Sequence, residues 1–179
     1  MVLKVKLIVA VSENMGIGSK GQLPWRLKKE LKYFSRITQL TSDPTKRNAV
    51  VMGRRTWESI PAANRPLVNR CNLVLSSQSL VLPEGVTLHH SLEEALQSLG
   101  DDIETAWIIG GSSLYQAALE KGLCDQLYVT RILRSYDCDV FLPEMGPGYV
   151  LARDPAVPEE LQVEDGISYK FEVYEKIKN

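Results

Sequence analysis

Glu30 has the residue type and the placement for acid–base chemistry. At about 100° per residue, Leu27, Leu31, Phe34 and Ile37 fall on one face of a helix, and Lys28, Lys29 and Lys32 on the opposite one. Glu30 comes three residues after Leu27 and four before Phe34, the spacing that stacks its side chain among the apolar ones. A carboxyl held in an apolar pocket has its pKa raised by desolvation, so it can exchange or polarise a proton near neutral pH. The bland alternative is a glutamate at the edge of the stripe with its head in water. The helix alone does not separate the two.

Two further segments have the chemistry of phosphate sites. Gly53-Arg54-Arg55-Thr56 follows a β-branched run and leads into a helix start, where free backbone N–H groups favour anions and arginine adds a bidentate fork. Gly110-Gly111-Ser112-Ser113 is a second strand-to-helix turn whose small residues let phosphate oxygens reach backbone N–H groups. Each has an ordinary reading, a solvated arginine pair and a tight turn. Both lie at the carboxyl ends of predicted strands, the edge where open α/β sheets bind ligands, so together they point to a nucleotide with several phosphates. Gly16-Ile17-Gly18-Ser19-Lys20-Gly21-Gln22 places three glycines in six residues just before the Glu30 helix. Such a loop can let a ligand approach the backbone closely, or can be merely flexible.

The chain offers no GxSxG, P-loop or HExxH, and its only histidines are the adjacent His89 and His90, so nucleophilic triads, zinc hydrolysis and a metal site are not expected. Hydride transfer needs no protein nucleophile, since the cofactor carries the chemistry and the fold supplies alignment and a proton.

These residues need a scaffold. Apolar, β-branched runs at Val5 to Val11, Ala49 to Met52, Asn72 to Leu75, Val86 to Leu88, Ala106 to Ile109, Leu127 to Ile132 and Tyr169 to Tyr174 read as strands. Helical spacing marks Leu27 to Leu40, Arg55 to Ile60, Leu92 to Leu99 and Ser113 to Lys121. The alternation predicts an α/β fold, a doubly wound and mostly parallel central sheet with helices on both faces. The last two runs have no helix between them, only the Pro- and Gly-containing stretch Pro143 to Gly166, so an antiparallel C-terminal edge is expected. A length of 179 residues suits one domain, 1–179. The charge, 21 Lys+Arg against 22 Asp+Glu, offers no general attraction to nucleic acid or to an acidic membrane. No apolar stretch reaches the roughly 20 residues of a membrane-spanning helix. Cys71, Cys124 and Cys138 lack the spacing of a disulfide framework or a zinc site, which suits a reducing cytoplasm.

Ile8-Val9-Ala10-Val11, Met15-Gly16-Ile17-Gly18, Leu23-Pro24-Trp25, Met52 to Pro61, Asn64-Arg65-Pro66-Leu67, Trp107 to Tyr115 and Tyr169 to Glu175 closely resemble dihydrofolate reductase of the animal type, in that family's order and over nearly the whole chain. The resemblance implies NADPH-dependent reduction of 7,8-dihydrofolate to 5,6,7,8-tetrahydrofolate in one-carbon metabolism, by a cytoplasmic monomer that antifolate inhibitors block. It implies that Glu30 hydrogen-bonds the pterin and promotes protonation at N5 through water near Trp25, with Thr130 supporting Glu30 and the pterin amino group. The backbone carbonyls of Ile8 and Ile109 would lie at the pterin edge. Val9, Leu23, Leu31, Phe34, Ile60, Leu67 and Tyr115 would complete the pocket, and Asn64 and Arg70 would hold the glutamate tail. For the cofactor it implies Ala10 and the loop Gly16, Ile17, Gly18, Ser19, Lys20, Gly21 and Gln22 on the nicotinamide side. Gly53, Arg54, Arg55 and Thr56 would meet the phosphates with Gly110, Gly111, Ser112, Ser113, Leu114 and Tyr115. Leu75, Ser76, Ser77 and His90 would form the 2′-phosphate side, with Ser77 where an arginine is often found. The Gly110–Gly111 peptide is expected to be cis.

Two other classes fit parts of the pattern. A pyrimidine reductase of riboflavin synthesis shares this kind of fold but has no use for Asn64 and Arg70 as a glutamate-tail site. A nucleotide- or RNA-binding protein without catalysis would not need Glu30, Trp25 and Thr130 together.

Overall fold

In the computed structural model, which describes residues 3–178, the first apolar run forms strand β1 (Lys4–Val11) at the centre of a nine-stranded sheet. The two ends of the expected unit 1–179 lie outside the described residues. The chain continues through β2 (Gly16–Gly18), α1 (Lys28–Gln39), β3 (Arg47–Gly53), α2 (Arg54–Ser59), β4 (Arg70–Leu75), β5 (Thr87–His89), α3 (Leu92–Gln97), β6 (Ile103–Ile108) and α4 (Ser112–Glu120). It ends with β7 (Gln126–Ile132), β8 (Val140–Phe141), β9 (Tyr149–Ala152), β10 (Gln162–Glu164) and β11 (Ile167–Lys176). Every expected strand and helix is present, with ends moved by a few residues. Among the described residues no helix is long and apolar enough to cross a membrane.

Strand order is β10-β11-β7-β1-β6-β3-β4-β5, and the pairings from β7 to β5 are all parallel. Leu7, Val9 and Val11 of β1 pack with Leu92, Ala95, Leu114 and Ala118 on one face, while Ile8 packs with Tyr33, Ile37 and Trp57 on the other. Both sides of the strand are therefore buried, and an unbroken apolar run is what such a strand requires. α3 and α4 cover one face, α1 and α2 the other.

The C-terminal edge is antiparallel, as expected, and wider than the expected pair. β11 runs antiparallel to β7, and two more strands lie outside it. The stretch read as a connection, Pro143 to Gly166, contains β9 and β10, and both pair with the outer side of β11. β10 takes its first residues and β9 its last. Val150, Leu151 and Val163 on these short strands are exposed, so neither strand has a buried face to print an alternating pattern.

Helix α1 also differs from its predicted stripe. Leu27 and Ile37 are buried as expected, but Leu31 is 48% exposed and lines an open cleft. Its place against the sheet is taken by Tyr33, which stacks on Phe171 with ring centroids 3.8 Å apart and planes 23° apart. The helix begins at Lys28, and the residue before it, Leu27, has no side chain that can cap. Glu164 of β10 does so from a distance, accepting the backbone N–H of Lys28 at 2.7 Å and of Lys29 at 2.8 Å. A carboxylate at a helix N-terminus satisfies free donors and meets the positive end of the macrodipole.

The glycine-rich loop is ordered by pairing. Gly16 and Gly18 pair with β8, and Lys20 and Gly21 (φ 51° and 78°) turn the chain between Ser19 and Gln22, which exchange backbone hydrogen bonds at 2.8 and 3.0 Å. Positive φ at both central residues is the geometry of a type I′ hairpin turn. A methyl group on Gly16 would sit 2.2 Å from Cys138 Sγ and 2.7 Å from its Cβ. Gly16→Ala is expected to cost about 1–3 kcal/mol, as overpacking does, read as a lower Tm. Combining it with Cys138→Gly removes both clashing atoms, so the double variant should recover much of the loss.

Candidate functional site

The carboxyl ends of β1, β3, β4 and β6 open into a cleft of about 2160 Å³. Its floor is Ile8, Val9 and Ala10 of β1 with Ile109 just past β6; α1 forms one wall through Glu30, Leu31 and Phe34, with Leu27 just before it. Ile60 and Leu67 also line the cleft, as does Leu23, 49% exposed, and the lining residue Asn64 is exposed.

Glu30 is only 6% exposed. Burial pushes its carboxyl up to about 7, while the Thr130 hydroxyl, donating to Oε1 at 3.2 Å, pulls in the other direction by stabilising the ionised form. Thr130 lies behind Glu30 and does not line the cleft. β7 holds it there: Thr130 pairs in register with Ala10 of β1 on one side and Phe171 of β11 on the other. Thr130→Val removes the hydroxyl and keeps the shape, so the Glu30 pKa is expected to rise further; a carboxyl-carbon NMR titration of Glu30 measures it. A fall would contradict the role of that hydrogen bond.

Trp25, 6% exposed, shares this wall, and its indole N–H is buried with no acceptor among the described residues. Its ring meets Tyr136 at 5.5 Å. Tyr115 is buried beneath the cleft and donates its hydroxyl to the Ile8 carbonyl at 2.8 Å; burial pushes that phenol far up, so it remains a donor.

The two glycine turns meet each other. The Gly53 N–H donates to the Gly110 carbonyl at 2.8 Å, the Gly110–Gly111 peptide is cis, and Gly110 has φ 122°. A Cβ at Gly110 would approach the Tyr115 hydroxyl to 3.2 Å, so glycine is required by both conformation and space. α2 starts after Gly53 and α4 after Gly111, neither with a side-chain cap, which leaves their first N–H groups to the cleft. Thr56, Ser112, Ser113 and Leu114 line it beside them. The arginines divide: Arg54 is tied to Glu58 at 2.8 Å and to Gln78 at 2.6 Å, whereas Arg55 has no hydrogen-bond or ion-pair partner among the described side chains.

Leu75, Ser76, Ser77 and His90 line the far end. The Ser76 carbonyl lies 2.9 Å from His90 Nδ1. A carbonyl only accepts, so His90 Nδ1 is the donor of this contact. Arg70, which sequence alone would place on the surface, is 7% exposed. It donates from Nε to the Val68 carbonyl at 2.8 Å and from Nη1 to Thr38 Oγ1 at 2.9 Å, with the cleft on its other side.

Ile17, Gly18, Gly21 and Gln22 reach the cleft as expected, but Gly16, Ser19 and Lys20 do not line it. Gly16 is packed against Cys138, and Ser19 and Lys20 belong to the hairpin turn. Residues that sequence reasoning missed include Gln78, Glu93, Lys121, Asp139 and Val140. Glu93 and Lys121 form an ion pair joining α3 to α4, and Asp139 accepts the Lys20 N–H at 2.9 Å. None of these carries a local motif; only distant pairing brings them to the site.

A sequence profile described as dihydrofolate reductase matches residues 4–176. The dihydrofolate reductase of Drosophila melanogaster is 48% identical over 179 residues, covering 97% of this chain and 98% of its own. That of Mus musculus is 47% identical over 185 residues, covering 98% and 99%. The solved structure of Schistosoma mansoni dihydrofolate reductase superposes with a TM-score of 0.88 at 37% identity, covering 99% of this chain and 100% of that one. With its profile, sequence and architecture matched from end to end, the chain belongs to the dihydrofolate reductase family.

Proposed function

We propose that the reduction of dihydrofolate to tetrahydrofolate carried out by this chain draws on NADPH and is directed by Glu30. The observation that carries this is a buried carboxyl, balanced near pH 7, in the wall of a cleft whose other side presents two uncapped helix starts and Arg55. Those donors fit a pyrophosphate, and the far end at Ser76, Ser77 and His90 fits an added 2′-phosphate. The bound nicotinamide cofactor supplies the hydride.

Going from 7,8-dihydro to 5,6,7,8-tetrahydro adds a hydride at C6 and a proton at N5. Glu30 hydrogen-bonds the pterin amino group and its neighbouring ring nitrogen, and Thr130 fixes the carboxylate. The unpartnered indole N–H of Trp25 holds a water that passes the proton to N5. The carbonyls of Ile8 and Ile109 meet the pterin edge, and the Tyr115 hydroxyl holds the Ile8 carbonyl in place. Val9, Leu23, Leu31, Phe34, Ile60 and Leu67 exclude water around the rings, which strengthens each of these polar contacts. Asn64 and Arg70 take the glutamate tail. On the cofactor side Ala10 with Ile17, Gly18, Gly21 and Gln22 contact the nicotinamide, Gly53 to Thr56 and Gly110 to Tyr115 the pyrophosphate, and Leu75 to Ser77 with His90 the adenosine end.

A steady-state comparison of NADPH with NADH at fixed dihydrofolate tests the cofactor. Charge-assisted contacts to one phosphate contribute about 1.5–3 kcal/mol, or at least tenfold in kcat/KM. Equal values for the two cofactors would remove the 2′-phosphate contact from the proposal. Cytoplasmic location and a monomeric state complete it: the three free cysteines, Cys71, Cys124 and Cys138, suit a reducing compartment, and sedimentation reads the mass directly.

A further inference from the structure

We propose that a recess on the flank of α1 turned away from the cleft binds a small aromatic carboxylate. At 100° per residue, Leu31, Phe34 and Ser35 turn to the cleft, and Lys29, Lys32 and Arg36 lie on the opposite flank. There they surround a depression of about 240 Å³ whose inner wall is aromatic.

The charge is local and uncommitted. The chain as a whole carries a net charge of -1, yet three cations stand within two turns of one helix. None of the three side chains forms an ion pair among the described residues. Glu164, the acid at the start of the helix, has both carboxylate oxygens taken by the backbone N–H groups of Lys28 and Lys29. A site rimmed by donors of one sign selects an acceptor-only headgroup, which is an anion.

The inner wall selects the body. Tyr33 and Phe171 stack at 3.8 Å, the Arg36 guanidinium lies 5.8 Å from the Tyr33 ring centroid, and Tyr169 meets the edge of Phe171 at 5.6 Å. Flat aromatic walls favour a flat apolar ligand. Tyr169 supplies a separate observation: the residue is fully buried, it lines this recess, and its hydroxyl has no hydrogen-bond partner among the described residues. A buried hydroxyl left unpaired is costly, and a carboxylate oxygen would accept from it. The volume admits one ring with one carboxylate and excludes a dinucleotide, so this site is separate from the cleft in both place and ligand size.

Benzoate is the probe, titrated into the full-length, isotopically labelled chain with amide shifts followed by NMR, and inorganic phosphate is the comparison anion. Saturable shifts are expected at Lys29, Lys32, Tyr33 and Phe171, with phosphate at least several-fold weaker. Lys32→Ala with Arg36→Ala, both on the exposed flank, should weaken benzoate about tenfold, the loss of roughly one charged contact. Tyr169→Phe, which removes only the unpaired hydroxyl, should weaken it about threefold. Arg70→Leu, in the cleft, should leave these shifts in place. The proposal is overturned if benzoate moves only residues around Arg70, if it produces no saturable shift, if phosphate binds as well as benzoate, or if the Lys32 and Arg36 changes leave its affinity unaltered.

Discussion

Glu30→Gln is expected to cut turnover at pH 7 by roughly 10²- to 10⁴-fold, the range that a positioned general acid contributes, while the cofactor still binds. Glutamine keeps the size and can keep the hydrogen bond with Thr130, but it has no proton to exchange. The same change should act on stability with the opposite sign. The folded chain holds Glu30 as the acid up to about pH 7, whereas an ordinary glutamate loses its proton near 4.5. Stability from this difference is fully present below about pH 4.5 and is lost as pH rises through about 7, a swing of about 3 kcal/mol. At pH 8 the parent therefore bears the burial of an ionised carboxylate and the glutamine variant does not. Thermal unfolding should show the variant with the higher Tm at pH 8 and no advantage at pH 4. Near-normal turnover would take Glu30 out of the mechanism, and a Tm advantage independent of pH would show that its burial is not what raises its pKa.

How much of this was legible in the sequence depended on the range over which each feature is encoded. Glu30 was visible because helix periodicity is local: three residues after Leu27 and four before Phe34 is a statement about one helix. The same periodicity misplaced Leu31, because an apolar residue facing an open cleft and one facing the sheet look alike until the neighbouring walls are known. The parallel strands were visible because burial on both faces leaves an unbroken apolar run. β9 and β10 were not, since a short edge strand with Val150, Leu151 and Val163 exposed is ordered by its partner β11 and not by its own pattern. Capping of α1 by Glu164 spans more than 130 residues, beyond the reach of any local motif. Arg70 owed its place in the expected site to family resemblance alone, since its burial depends on Thr38 and Val68 folding around it.

Arg70→Leu is expected to raise KM for dihydrofolate about 10²-fold with little change in kcat. Arg70 is held in advance: its Nε and Nη1 donate to Val68 and Thr38, so one edge of the fork is fixed by the protein and the rest can meet a carboxylate in two-pronged geometry. Losing a charge contact of this kind costs roughly 3 kcal/mol, which is about two powers of ten in affinity. The glutamate tail lies apart from the reacting C6 and N5, so the contact holds ground state and transition state alike, and its loss should appear in KM rather than kcat. Burial lowers the pKa of Arg70 by desolvation, so the unliganded protein already bears a cost for keeping this cation, and in the leucine variant its relief opposes the loss of the hydrogen bonds to Val68 and Thr38. A dihydropterin lacking the glutamate tail separates this role from a general effect on the cleft. Its kcat/KM should be the same for the parent and Arg70→Leu, and an equal loss for both substrates would show that Arg70 shapes the pocket instead of binding the carboxylate.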